Sequence, residues 1–130
     1  MGYRGKHSHG VDEWELPGGK PDLWESMPRA AAREAKEEVD VDIEEGSLDF
    51  LTWTDDRFPS HGRHFITLYF YTTRWSGTPR ICEPHKCLFL KWFKLTDIPS
   101  NSMAGTRTAG EALHRYLASQ TMEKESVSNA

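Results

Sequence analysis

Gly19-Lys20-Pro21-Asp22-Leu23-Trp24-Glu25-Ser26-Met27-Pro28-Arg29-Ala30-Ala31-Ala32-Arg33-Glu34-Ala35-Lys36-Glu37-Glu38-Val39-Asp40-Val41 is the stretch on which the reading of this chain turns. It follows a Leu16-Pro17-Gly18-Gly19 turn and has the marks of one helix. Ser26 is a suitable N-cap, Pro28 suits the first turn, and Met27, Ala31, Ala35 and Val39 recur every four residues as the expected buried stripe. On that helix Glu34, Glu37 and Glu38 fall within roughly a third of the circumference, because residues three and four apart are surface neighbours. Three carboxylates on one face repel one another, and near a helix C-terminus they also oppose the macrodipole. A cation relieves both. Hard oxygen donors at this spacing suit Mg²⁺, with Mn²⁺ as the alternative. A solvated charged face is the competing explanation for an isolated run of this kind.

The rest of the spacing decides between the two. Five residues separate Gly19 from Glu25, and seven separate Glu25 from Arg33. Gly19, Glu25, Arg33, Glu34, Glu37 and Glu38 together resemble the signature of the Nudix hydrolase family, G-x5-E-x7-R-E-U-x-E-E-x-G-U with U apolar. With each residue type at roughly 7% of average usage, a chance match in a chain of this length is on the order of one in a hundred thousand. The resemblance extends from about Arg4 to Pro99 and includes Trp14 to Lys20, Glu83 to Cys87 and Trp92-Phe93 through Ile98-Pro99. It is closest to the MutT-type nucleoside triphosphate diphosphatases. Asp40 stands where the family has its last Gly, and Asp tolerates the left-handed conformation at some cost.

That resemblance implies an α+β fold, a Nudix-type α/β/α sandwich around a mixed sheet, and Mg²⁺-dependent hydrolysis of a nucleoside triphosphate to monophosphate and pyrophosphate. By position, Glu34, Glu37 and Glu38 are the metal carboxylates, with Glu34 preferred for orienting or deprotonating water, and the Gly18 carbonyl is a further candidate ligand. Arg33 and Glu25 are implied to hold the glutamates in place. Many relatives supply another acidic residue where this chain reads Leu88-Phe89-Leu90, so Glu83, Asp55 or Asp56 would have to substitute. Trp14, Leu16, Thr67, Tyr69 and Trp92 are candidates for contact with a nucleobase, against the simpler role of aromatics in a core. Lys20 and Arg29 are candidates for phosphate. Two further readings stand beside this one: hydrolysis of a nucleotide sugar or dinucleotide, and a catalytically silent nucleotide-binding module.

The beginning of the chain departs from the family. The Gly-Gly turn normally follows two strands, the first lying inside the mixed sheet, whereas only seventeen residues precede Gly18 and Met1 to Lys6 resemble the tail of the second strand. A fragment or mis-assigned start is the leading explanation, ahead of a short variant with a compensating partner, or a decayed domain. An inner sheet edge left open would promote aggregation or pairing, so a homodimer is among the expectations.

At 130 residues the chain suits one domain, taken as residues 1–118, followed by a polar tail over 119–130 expected to be disordered. Strands are expected over Trp14–Leu16, Leu48–Thr54, His64–Thr73 and Leu88–Lys94, and a second helix from Thr108, burying Ala109, Leu113, Tyr116 and Leu117. The net charge of -4 argues against a nucleic-acid-coating surface. No apolar run is long enough to span a membrane and no signal-peptide pattern appears, which predicts a cytoplasmic location. Cys82 and Cys87 are too few for a disulfide framework, and Cys82, His85 and Cys87 lack a fourth ligand for zinc.

Overall fold

The structure is a computed structural model that describes residues 1–4 and 12–128. Its elements, in chain order, are β1 (Gly2–Arg4), β2 (Glu13–Glu15), α1 (Met27–Val39), β3 (Asp42–Ile43), β4 (Asp49–Phe58), β5 (Arg63–Tyr71), β6 (Trp75–Ser76), β7 (Phe89–Leu90) and α2 (Ala104–Ser128). Short 3₁₀ turns occupy Glu45–Ser47, Pro59–His61 and Leu95–Asp97. The α+β class follows, with the sheet in three pieces of order β2-β1-β7, β3-β6 and β4-β5. All their pairings are antiparallel. Among the described residues, the parallel component of the expected mixed sheet is a single bridge between Trp14 and Ser102.

Helix α1 begins where its cap dictates. The Arg29 amide donates to Ser26 Oγ at 3.3 Å, Pro28 lies in the first turn, and the helix ends at Asp40 in the left-handed region at φ 56°. Ion pairs from Lys36 at 3.0 Å and Arg80 at 2.8 Å hold the Asp40 carboxylate and keep it ionised below the usual carboxylate range, Arg80 contributing most. The buried stripe is Ala30, Ala35 and Val39, whereas Met27 is 44% exposed and Ala31 only half-buried. The stripe is rotated because the small Ala30 turns inward with Ala35 and Val39. Val41 joins Ala35 and Val39 to form the core under the helix, with Ile43 and Leu90 packed against it.

Strand β1 occupies the segment read as the tail of a second strand and is paired on both sides, with Tyr3 opposite both Trp14 and Phe89. Strand β7 is only Phe89–Leu90, shorter than the expected Leu88–Lys94, because β1 offers it only two partners. Strands β4 and β5 run longer toward their turn than expected, to Phe58 and from Arg63, since each residue there finds an antiparallel partner.

Helix α2 starts at Ala104, four residues before the expected capping box at Thr108, and the Thr108 hydroxyl donates to the Ala104 carbonyl at 3.1 Å instead of capping. It continues to Ser128, through the segment expected to be a disordered tail. Residues 119–128 contain neither Gly nor Pro, and once α2 is nucleated on β4 and β5 each further turn adds a hydrogen bond per residue fixed. Ala109 is buried and Leu113, Tyr116 and Leu117 are half-buried, as their spacing predicted. Among the described residues, no helix is long and apolar enough to cross a membrane.

Candidate functional site

Arg33 organises the start of the site. Its Nε and Nη2 grip Glu25 at 2.8 and 2.9 Å, its Nη1 reaches Glu34 at 3.0 Å and Glu37 at 3.2 Å, and Nη2 also donates to the Lys20 carbonyl at 2.9 Å. The guanidinium thus spends all five N–H groups on the loop and helix that carry the carboxylates. It holds three carboxylates, because its planar fork spans both the helix face and the preceding turn. Glu25 is in turn tied to the loop, accepting from the Asp22 amide at 2.9 Å. Arg33, and after it that amide, hold the Glu25 carboxyl down at about 2, while Glu25 foremost raises the already high pKa of Arg33. With a side chain only 10% exposed, Glu25 is a permanent anion that positions Arg33.

Glu38 turns the other way. Its Oε2 accepts the Gly18 amide at 3.1 Å, and burial pushes its carboxyl up to about 7 against that hydrogen bond, with the charges of Glu34, Glu15 and Glu83 adding to the rise. Gly18 meets the site through its N–H in this geometry. Gly19 has a steric role: a Cβ there would run into the Glu34 carboxyl carbon and both oxygens, so only glycine lets the turn lie flat against that carboxylate.

The three helix glutamates therefore do not converge as helix spacing alone predicted. Glu34 and Glu37 share Arg33 Nη1 while Glu38 faces Gly18, and among the described residues no three acidic, histidine or cysteine side chains form a ready-made cation cage. The residues nevertheless fit a divalent cation. Glu34 and Glu38 offer hard oxygens side by side, among the described residues no cationic side chain bonds Glu38, and the glycine turn leaves the Glu34 carboxylate an open approach.

Glu15 was not among the residues singled out from the sequence, although its alternation with Trp14 on β2 placed it opposite that ring. It lines a small cleft with Leu16, Pro17, Glu38, Glu83 and Cys87. Burial raises its carboxyl despite an ion pair with Arg4. Glu83, offered as a substitute acid, lies in the same cleft and is paired with Lys86 at 3.1 Å. Asp55 and Asp56 are spent within the β4–β5 hairpin: Asp55 pairs with Arg57 at 2.7 Å and with His64, and Asp56 accepts from Thr54 at 3.0 Å and Thr67 at 2.5 Å.

The nucleobase candidates are scattered. Trp14 is edge-on to Phe93 at 4.7 Å and packs on Tyr3 at 5.1 Å, while its backbone bonds Asn101 and Met103. It is a strut between β2 and the start of α2. Tyr69 points its phenol at Gly105, where a Cβ would collide with it, and burial foremost raises its pKa. Leu16, 38% exposed, opens onto the cleft beside Glu38. Trp92 lies 5.8 Å from Trp75, 69% exposed. Lys20 Nζ sits 5.5 Å over the Phe65 ring, and Arg29 is exposed.

Comparison with known proteins agrees with this geometry. The profile of the NUDIX domain matches residues 3–116. A crystal structure of a MutT NUDIX hydrolase from Burkholderia pseudomallei is similar at TM-score 0.77 and 33% identity, covering 85% of this chain and 84% of that one. A structure of MutT, from work on Aliivibrio salmonicida and Vibrio cholerae, shares the fold at TM-score 0.58 and 21% identity, covering 87% of this chain and 82% of that one. With the signature glutamates, the arginine clamp and the glycine turn assembled at one helix, and with the domain match spanning most of its length, this chain belongs to the Nudix hydrolase family, whose members hydrolyse pyrophosphate linkages and generally use divalent metal ions.

Proposed function

We propose that this protein is a Mg²⁺-dependent nucleoside triphosphate diphosphatase, releasing nucleoside monophosphate and pyrophosphate. The observation that carries the reading is the pairing of a partly buried, uncompensated Glu38 with a Glu34 carboxylate laid against Gly19, both on a helix locked by Arg33. Glu34 and Glu38 would hold the ion, Glu37 joining them on leaving Arg33, with Gly18 and Gly19 shaping the approach. Bound there, Mg²⁺ supplies positive charge for the phosphate oxygens and acidifies water near neutral pH.

The chain's own groups do the rest. Glu34 accepts the proton of the attacking water as its oxygen bonds to phosphorus, and the bridging P–O bond breaks to release pyrophosphate. Glu25 keeps Arg33 in place, and Arg33 keeps Glu34 from rotating away. Leu16 borders the approach from the turn, and Lys20 is tied to Arg33 through its carbonyl.

The test is a screen of nucleoside triphosphates, nucleotide sugars and dinucleotides with Mg²⁺, in which pyrophosphate and orthophosphate are detected separately. Pyrophosphate release that a chelator abolishes is expected. Orthophosphate alone would place the cut at another bond, and turnover confined to nucleotide sugars would move the substrate class.

A further inference from the structure

The end of helix α1 is closed by a distant segment. The last carbonyls of a helix find no partner within it. The Asp40 amide reaches that of Lys36 at 3.1 Å, but the Glu38 carbonyl accepts the Cys82 amide at 3.1 Å and the Val39 carbonyl the Arg80 amide at 3.0 Å. Strand β6 pairs with β3, just past the helix, and delivers that segment there. Gly77, at φ 100°, keeps it close: a Cβ on Gly77 would stand 3.2 Å from the Asp40 carbonyl. Glu38 offers its side chain to a cation, so the bond on its own carbonyl bears directly on the site.

The chain leaves α1 through Asp40 at φ 56° and ψ 41°, a conformation that is strained for any residue with a Cβ and only less so for Asp. Two cations hold its side chain, Arg80 Nε on Oδ2 at 2.8 Å and Lys36 Nζ on Oδ1 at 3.0 Å. Lys36 is shared with Asp42 at 3.2 Å and lies on α1 itself, so it cannot fasten the helix end to another element. Arg80 can. It grips two consecutive residues, Val39 through its main chain and Asp40 through its side chain. With the Arg80 side chain 66% exposed, the ion pair adds little stability of its own, and its consequence is geometric.

We propose that Arg80 is a positioning residue for the cation site: by holding Asp40 in the left-handed conformation it keeps the last turn of α1, and with it the Glu38 carboxylate, in register with Glu34. This role rests on Glu34 and Glu38 being cation ligands. Without the Arg80 side chain the strained Asp40 relaxes toward ordinary backbone angles, and the Glu38 and Val39 carbonyls lose their alignment with the two amides. Glycine at position 40 adopts φ 56° without strain and needs no such hold. The need for Arg80 therefore depends on the residue at position 40, and the two substitutions are not additive.

Wild type, Arg80→Ala, Asp40→Gly and the double variant form one cycle, read by Mn²⁺ calorimetry and by amide hydrogen exchange in chelator. Arg80→Ala should weaken Mn²⁺ binding about three- to tenfold, less than the roughly 10–100-fold expected of a group bonded directly to a ligand, and should speed exchange at the Asp40 and Cys82 amides. Arg80→Lys keeps the charge and should restore most of the affinity. In the Asp40→Gly background, Arg80→Ala should change neither reading. Unchanged Mn²⁺ affinity in Arg80→Ala, equal losses in both backgrounds, or Arg80→Lys as weak as Arg80→Ala would overturn the proposal and leave the cation site standing. Wild type that binds no Mn²⁺ would overturn the cation reading and the proposal with it.

Discussion

Replacing Glu38 with Gln should stabilise the protein in the absence of metal, and Mg²⁺ should shrink that advantage. The Gln amide oxygen can still accept the Gly18 N–H, so the substitution removes charge and little else. Burial holds the Glu38 carboxyl at about 7 in the folded chain against 4.5 as its ordinary value. Between those two values the unfolded chain ionises Glu38 while the folded chain keeps it protonated, so the native state binds the extra proton and wild-type stability falls as pH rises. The full linkage is about 1.36 kcal/mol for each of the two to three units, or about 3 kcal/mol, and because Glu38 is only partly buried solvent screening reduces it to about 1–2 kcal/mol. Urea unfolding in chelator should therefore show Glu38→Gln level with wild type near pH 4.5 and more stable by about that amount at pH 8. Mg²⁺ at ten times its Kd adds about 1.4 kcal/mol to wild type and less to the variant, which narrows or reverses the order. A difference between the proteins that does not change with pH in chelator would refute the burial argument. Equal Mg²⁺ shifts in both would remove Glu38 from the metal site.

Three further outcomes test the support around it. Arg33→Lys retains the charge but cannot serve five acceptors; turnover should fall by orders of magnitude, and Glu25, titrated by NMR, should move up from about 2 toward the usual value near 4.3. An unmoved Glu25 would mean that the clamp is not what ionises it. Gly19→Ala should push the Glu34 carboxylate aside and weaken Mn²⁺ binding in calorimetry by roughly 10–100-fold, and unchanged affinity would take Glu34 out of the ligand set. At the helix end, Asp40→Gly should melt no lower than wild type while Asp40→Ala melts lower, since Ala resists φ 56°, with turnover unchanged in Asp40→Gly; a large activity loss there would give Asp40 a role beyond capping.

Local chemistry accounts for what was legible beforehand. Ser26, Pro28 and the four-residue spacing of small residues act within one or two turns, so the start of α1 and its left-handed end at Asp40 could be read directly, as could the strands that became β4 and β5, though not their pairing. The start of α2 was misplaced because Thr108 offers the pattern of a cap, while the Trp14 backbone, bonded to Asn101 and Met103, sets where the helix begins. That contact spans almost ninety positions and leaves no local trace. The stripe on α1 was off by one because every residue from Ala30 to Ala32 is equally small, so the sequence carries no mark of which turns inward.

Residue identity and spacing alone determined the family, the signature glutamates, the arginine and the glycine turn, since the chemistry needs those types at those intervals along one helix. Tertiary structure decided the rest. It divided the three glutamates between Arg33 and Gly18, brought Glu15 and Glu83 beside Glu38, and spent Trp14 and Tyr69 on packing that their aromatic character alone does not reveal. These depend on which distant segments share a desolvated space, and desolvation belongs to the assembled fold and to no single stretch of chain.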